Sequence, residues 1–126
     1  MNLYNISDLS REFGVTTRSI RYYEDIGLLA PQRQGQTRIY DSADRTRLKL
    51  ILRGKRLGLS LEESREIIDM YQPGKNNAKQ LRKLIEAINI QKEKLSRKLD
   101  DIGKLMDDLN QSELKCIEAL RLGTSK

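Results

Sequence analysis

The sequence predicts a mostly α fold, a winged helix-turn-helix head followed by a long coiled-coil helix, on three observations. Two short segments with helical apolar spacing are joined by a three-residue turn containing Gly14. A β-tolerant stretch broken by Pro31 and Gly35 follows directly. From Leu81 onward an apolar residue recurs at every seventh position as far as Cys116. A chain of 126 residues has enough material for one domain core, not two.

Taken in order, Ile6, Leu9 and Phe13 fall at i, i+3 and i+7, the apolar stripe of a first helix. Asn5 is its expected N-cap, with Asp8 in the first turn and Gly14 as the stop. Thr16 caps a second helix running to about Ile26 and ended by Gly27. On it Ile20 continues the core, whereas Thr17, Arg18, Arg21 and Tyr22 share the outward face near the start. That end of a second helix is the part that reaches base edges in a major groove. Residues 28–40, LLAPQRQGQTRIY, read as a two-stranded hairpin with its tip near Gln34, Gly35 and Gln36. Arg33 and Arg38 flank that tip, placed to meet phosphate or a narrow minor groove.

Asp41 or Ser42 caps a third helix through about Leu57. Leu48, Ile51 and Leu52 are expected to face inward, and Arg45, Arg47, Lys49, Arg53, Lys55 and Arg56 to line the exposed side. Gly58 stops it, and the capping box Ser60-Leu61-Glu62-Glu63 opens a fourth helix expected to bury Leu61, Ile67, Ile68 and Met70. QPGKNN at 72–77 then breaks all helix. The expected organisation is a head over residues 1–71, a linker over 72–77, a dimerisation helix over 78–111 and a short tail over 112–126.

In the long helix Leu81, Ile88, Leu95, Ile102, Leu109 and Cys116 occupy the a position. Leu84 and Leu105 take d, Gln91, Lys98 and Ser112 interrupt the d series, and Ile85, Leu99, Met106 and Leu120 at e widen the stripe. Such a helix, roughly 50 Å long at 1.5 Å per residue, cannot bury its stripe against a small head and requires a partner helix. The simplest partner is a second copy of the chain. Cys116, in phase with the stripe, is read as a small buried hydrophobe ahead of a redox sensor. Asp100, Asp101, Asp107 and Asp108 form a solvated face beside Lys98 and Lys104.

The net charge of +6 is not evenly spread. Arg11 to Arg56 holds eleven basic and five acidic residues, and the remaining 80 residues hold thirteen of each sign. A one-sided excess of this kind is the footprint of a phosphate-facing surface. The chemistry is bounded as tightly. The chain has no His and a single Cys, which removes the usual general base, any intrachain disulfide and any thiolate-based metal site within one chain. No cofactor is expected. With no apolar run near 18 residues and no signal-like start, a soluble cytoplasmic non-enzyme without a membrane partner is expected.

The string from Thr17 through Arg18, Arg21, Tyr22, Tyr23, Glu24, Gly27, Leu28 and Leu29, followed by Arg38, Tyr40 and Gly58 to Glu62, resembles the MerR family of bacterial transcription regulators over about residues 2–71. The segment RQGQTRIYDSADRTRLKLILRGKRLGLSLEE is similar to the LiuR-type branch, which regulates leucine and isovalerate catabolism. The resemblance implies a homodimer joined by an antiparallel coiled coil, each winged-helix head placing its second helix in one operator half-site. It implies DNA contacts from Thr17, Arg18, Arg21 and Tyr22, from Arg33, Arg38 and Tyr40 of the wing, and from Lys55 or Arg56, with Tyr23 packing or reaching a phosphate. Leu81, Leu84, Ile88, Leu95, Leu99, Ile102, Leu105 and Leu109 would form the dimer seam. Such proteins bind a promoter with an overlong spacer and, on sensing an effector, bend and untwist it for RNA polymerase.

The resemblance also narrows the effector. Metal-sensing members carry cysteines at the start of the dimerisation helix and after it, and neither stretch has that set here. One cysteine cannot hold an iron–sulfur cluster, and these residues include no large drug-binding domain. An unidentified small-molecule effector is expected. The alternative function is an architectural or recombination accessory protein with a winged helix, and a third is a coiled-coil adaptor whose basic head binds acidic protein. The five-heptad helix argues against the accessory protein.

Overall fold

The structure, a computed structural model, describes residues 2–123. In order it contains α1 (Ile6–Phe13), α2 (Thr17–Asp25), β1 (Gln32–Gln34), β2 (Thr37–Ile39), α3 (Ser42–Arg56), α4 (Leu61–Asp69) and α5 (Ala78–Gly123). Two compact units result, one running through Ile88 and one beginning at Asn89.

The head helices begin where side chains accept the orphan N–H groups of a first turn. Asn5 accepts from the Asp8 N–H at 2.8 Å while Asp8 accepts from the Asn5 N–H at 3.0 Å. Asp41 with Asp44 and Ser60 with Glu63 repeat this reciprocal box, so Asp41 and not Ser42 is the cap of α3. Thr16 accepts from the Ser19 N–H at 3.0 Å. Each cap stabilises its helix by about 1 kcal/mol.

β1 and β2 pair antiparallel, Arg33 opposite Arg38, around a turn in which Gly35 takes a φ of 64° that a side chain would oppose. Tyr4 extends the pairing, exchanging two 2.8 Å backbone hydrogen bonds with Tyr40. Nothing in the sequence pattern marked that third short pairing. The core beneath joins Leu9, Ile20, Tyr23, Leu28, Leu29, Tyr40, Leu48, Ile51 and Ile68.

Four expectations about packing are corrected. Leu61 is exposed although it shares a helical face with Ser64 and Ile68, because as the first residue of α4 it lies at the mouth of a surface recess; Met70 is only half-buried. Arg45, Arg47 and Arg53 are half-buried as well. Arg45 packs over the rings of Tyr4 and Phe13 and forms a two-pronged ion pair with Glu12, and Arg47 lies 5.9 Å from the Tyr71 ring centre. These two cations brace the head, stems and charge together.

The third correction concerns α5. It does not stop before residue 112 but runs through Gly123, since Gln, Glu, Lys, Ala and Leu between those positions all favour helix. The expected tail is therefore helical over residues 112–123, and its last three residues lie outside the described ones. The fourth is Leu84, expected in the dimer seam. It is buried with Leu59, Ile67 and Ala87 in a second cluster of the head. Gln80 fastens the same turn, its Nε2 donating to the Ile67 carbonyl at 3.0 Å.

Candidate nucleic-acid interface

α2 lies across the head with its buried edge fixed and its outer edge free. Ile20 and Tyr23 anchor it in the core, and an Arg65 guanidinium on α4 donates to the carbonyl of Ile26 at its C-terminal end. Its outer edge presents Arg18, Arg21 and Tyr22, all exposed, with Thr17 half-buried beside them. Arg21 Nη2 donates to Thr17 Oγ1 at 3.1 Å, so the threonine orients the arginine. The Tyr22 and Tyr23 rings sit 5.9 Å apart and tilted, the first outside and the second inside.

A recess of about 420 Å³ opens between α2 and the α3–α4 turn. Arg18, Ser19, Tyr22 and Lys55 line it with Leu59 and Leu61. This is where the exposed Leu61 goes: it helps form an apolar floor under two cations. The structure brings Lys55 to α2 but not Arg56, which lines a different recess with Phe13, Lys49 and Arg53. Ser19 joins the surface although no sequence signal singled it out.

The hairpin is fixed by one carboxylate. Glu24 of α2 accepts Arg38 Nε at 2.6 Å and Arg33 Nη2 at 3.0 Å. Burial raises the Glu24 pKa, but the hydrogen bonds and charges of the two guanidinium groups outweigh it and leave the carboxyl below its ordinary value. Both arginines thus meet a carboxylate before any phosphate, Arg33 still half-exposed and Arg38 mostly covered. The role of Glu24 was missed in the sequence, where it stood inside the motif with no partner in view.

One tyrosine departs from its expected place and a second keeps it. Tyr40, expected among the DNA contacts, is fully buried, and its hydroxyl has no hydrogen-bond partner. Burial and the nearby Glu24 charge push that hydroxyl up to about 12. Tyr23 is likewise buried and packs in the core, and it also borders the recess lined by Arg18, Tyr22 and Lys55. Both rings supply area to the core, which for Tyr23 is the first of its two expected roles and for Tyr40 replaces the expected contact.

Among the described residues no group of three or more His, Cys, Asp or Glu side chains is placed to hold a metal ion. No described helix is long and apolar enough to cross a membrane. The family model described as MerR HTH family regulatory protein matches residues 4–71, and one described as MerR, DNA binding, matches residues 45–113. The transcriptional regulator HmrR of Rhizobium leguminosarum is 30% identical over 83% of this chain and 82% of its own length. The regulator SkgA of Caulobacter vibrioides is 33% identical over 90% of this chain, which spans only 44% of that protein. A MerR family transcriptional regulator from Bacillus cereus, known from a crystal structure, superposes with a TM-score of 0.64 at 28% identity, over 87% of this chain and 79% of its own.

Proposed function

The chain belongs to the MerR family of DNA-binding transcription regulators, and from that premise we propose that it acts as a homodimer whose two heads each lay α2 in a major groove of a palindromic promoter operator. The observation that carries this reading is the outer edge of α2. Arg18, Arg21 and Tyr22 stand free there beside Lys55, on a helix whose other edge is locked into the core. Free cations and a ring on a rigid support are what reading base edges requires.

In this reading Arg18, Arg21, Tyr22 and the Thr17 that orients Arg21 contact bases and adjacent phosphates. Lys55 contacts the backbone, and Arg33 meets phosphate from the wing while Arg38 holds the wing in place. Residues 1–71 form the reading head, 72–77 the linker and α5 the dimerisation helix, its first turns fastened to the head through Leu84. The protein works in the cytoplasm on promoter DNA. There an unidentified small-molecule effector changes the distortion of the spacer and so the access of RNA polymerase. Likeness to the LiuR-type branch points to genes of leucine and isovalerate breakdown.

Footprinting on the DNA around its own gene tests this reading. Protection confined between the −35 and −10 elements, with hypersensitive bases at the centre, is expected. Protection that never falls in a promoter would sink it.

A further inference from the structure

We propose that the recess between the end of α1 and the outer face of α3 binds a small organic anion, an apolar body bearing a carboxylate, phosphate or sulfonate group, held by Lys49, Arg53 and Arg56 over Phe13, Leu50 and Leu52. It offers a seat for the effector left unidentified above, and rests on that reading for its regulatory role alone. The recess encloses about 460 Å³, within the range of pockets that take small molecules. It is separate from the recess beside α2, with which it shares no lining residue.

Lys49, Arg53 and Arg56 fall at i, i+4 and i+7, one face of α3 along about 10 Å of its length. Other arginines of the head meet a carboxylate. Arg45 of the same helix has Glu12, Arg47 has Asp44 at 3.9 Å, and Arg33 and Arg38 share Glu24. Among the described residues no ion pair includes Lys49, Arg53 or Arg56. The Glu12 charge reaches Lys49, but Arg45 already holds both oxygens of that carboxylate.

Arg53 is the decisive residue. It is half-buried with Leu50 and Leu52, and burial followed by the neighbouring Arg56 charge lowers its pKa below the ordinary value. The negative end of the α3 dipole accounts for cations in the last turn. It accounts neither for Lys49, a turn earlier, nor for a guanidinium withdrawn from water beside leucines with no counter-charge.

These features define the two parts of the ligand. A guanidinium fork takes a carboxylate, phosphate or sulfonate through parallel hydrogen bonds, and the exposed Lys49 and Arg56 add charge at the rim. Phe13, Leu50 and Leu52, all half-buried, gain only from an apolar body. An inorganic anion leaves ring and leucines wet, and an uncharged hydrocarbon leaves Arg53 unpaired. Duplex phosphates meet cations that stand exposed, as Lys55 does, whereas Arg53 is withdrawn.

Arg53 and Leu50 also border the narrow gap where Leu59 and Ile67 meet Leu84. That is the joint at which the first turns of α5 are fastened to the head. An anion that draws the Arg53 guanidinium toward itself therefore acts on this joint without touching α2.

Titration of the full-length chain, without DNA, with 8-anilinonaphthalene-1-sulfonate tests the site. Saturable binding of one dye per chain is expected, with Tm rising as dye is added. N-phenyl-1-naphthylamine, the same rings without the sulfonate, and inorganic sulfate should each bind at least about tenfold more weakly. Arg53→Met should weaken dye binding about tenfold, and so, separately, should Lys49→Gln and Arg56→Gln, which alter only exposed side chains. Lys55→Gln, in the other recess, should leave it unchanged. Equal affinity for the uncharged analogue overturns the proposal, as does binding lost in Lys55→Gln and kept in Arg56→Gln, which seats the dye beside α2. Dye that finds no site on the full-length chain means that this face is closed, by a second copy or otherwise, and sinks it too. If Arg53→Met weakens binding to every duplex and lowers the salt slope, Arg53 is a phosphate contact and the site is refuted. The two readings fail separately. A chain that selects no DNA sequence but binds the dye through Arg53 loses the proposed function and keeps the site; one that reads an inverted repeat but binds no dye loses the site alone.

Discussion

Glu24, near the end of α2, accepts hydrogen bonds from Arg38 at 2.6 Å and from its cross-strand neighbour Arg33 at 3.0 Å, so one carboxylate ties both strands of the hairpin to the helix. Without it, two guanidinium groups would face one another across the hairpin with no carboxylate bonded to either, Asp25 acting on Arg38 by charge alone. These two charged hydrogen bonds hold the hairpin to α2, while backbone pairing holds its strands to each other.

Replacing Glu24 with Gln should therefore cost about 1 kcal/mol of stability, less than a fully buried pair because Arg33 is half-exposed. The Glu24 pKa is lowered in the fold from its ordinary 4.5. A depressed carboxylate contributes stability in full above the unfolded value, and that contribution is lost as pH falls through the folded one. Urea unfolding at neutral pH should show the full penalty of Glu24→Gln, shrinking toward zero as pH is taken below about 4. A penalty independent of pH would mean that shape and not charge holds the wing.

Arg18 and Lys55 share a recess but are assigned different work, and the two separate experimentally. Arg18→Ala should cost about 1–3 kcal/mol and relax base preference at one operator position. Lys55→Ala should weaken binding to every sequence and reduce the salt slope by about 1. Arg56→Ala, on the other recess, should leave both quantities unchanged. Titrations of specific and scrambled duplexes at several salt concentrations measure all three.

Tyr40 gives a prediction of the opposite sign. Its buried hydroxyl has no partner, so Tyr40→Phe removes a desolvated polar group and keeps the ring. Stability should be unchanged or higher by up to about 1 kcal/mol, and operator affinity should not move. A loss of affinity would return Tyr40 to the DNA contacts.

α3 and α4 approach closely at Gly54, where an added Cβ would stand 2.4 Å from Ser64 Oγ. Ser64 is itself buried and cannot swing into solvent. Gly54→Ala should destabilise by about 1 kcal/mol, the overpacking cost exceeding the gain in helix propensity. Adding Ser64→Ala removes the clashing oxygen and should recover that loss. A double-mutant cycle by thermal or urea unfolding checks the coupling.

Local chemistry was legible in the sequence: Asn5, Thr16, Asp41 and Ser60 cap their helices, and the hairpin turns at Gly35, because capping and turn preferences act within a few residues. What needed the structure was tertiary. Leu84 and Leu105 hold the same heptad position, yet only Leu84 is buried, because α4 lies against its turn. The two neighbouring tyrosines Tyr22 and Tyr23 read alike, but helical phase sends one to solvent and the other to the core. Arg38 and Arg45 looked like free cations until Glu24 and Glu12, far away in the chain, came into reach. Net charge can be read residue by residue; which charges remain free cannot.

The central claim is sequence-specific reading of DNA by a dimer of these heads. Selection of bound duplexes from a random-sequence library by the full-length chain, followed by sequencing, tests it most directly. Enrichment of an inverted repeat, occupied by two protomers and lost steeply as salt rises, is expected. Recovery of no common sequence, or of an asymmetric site filled by one protomer, would contradict it.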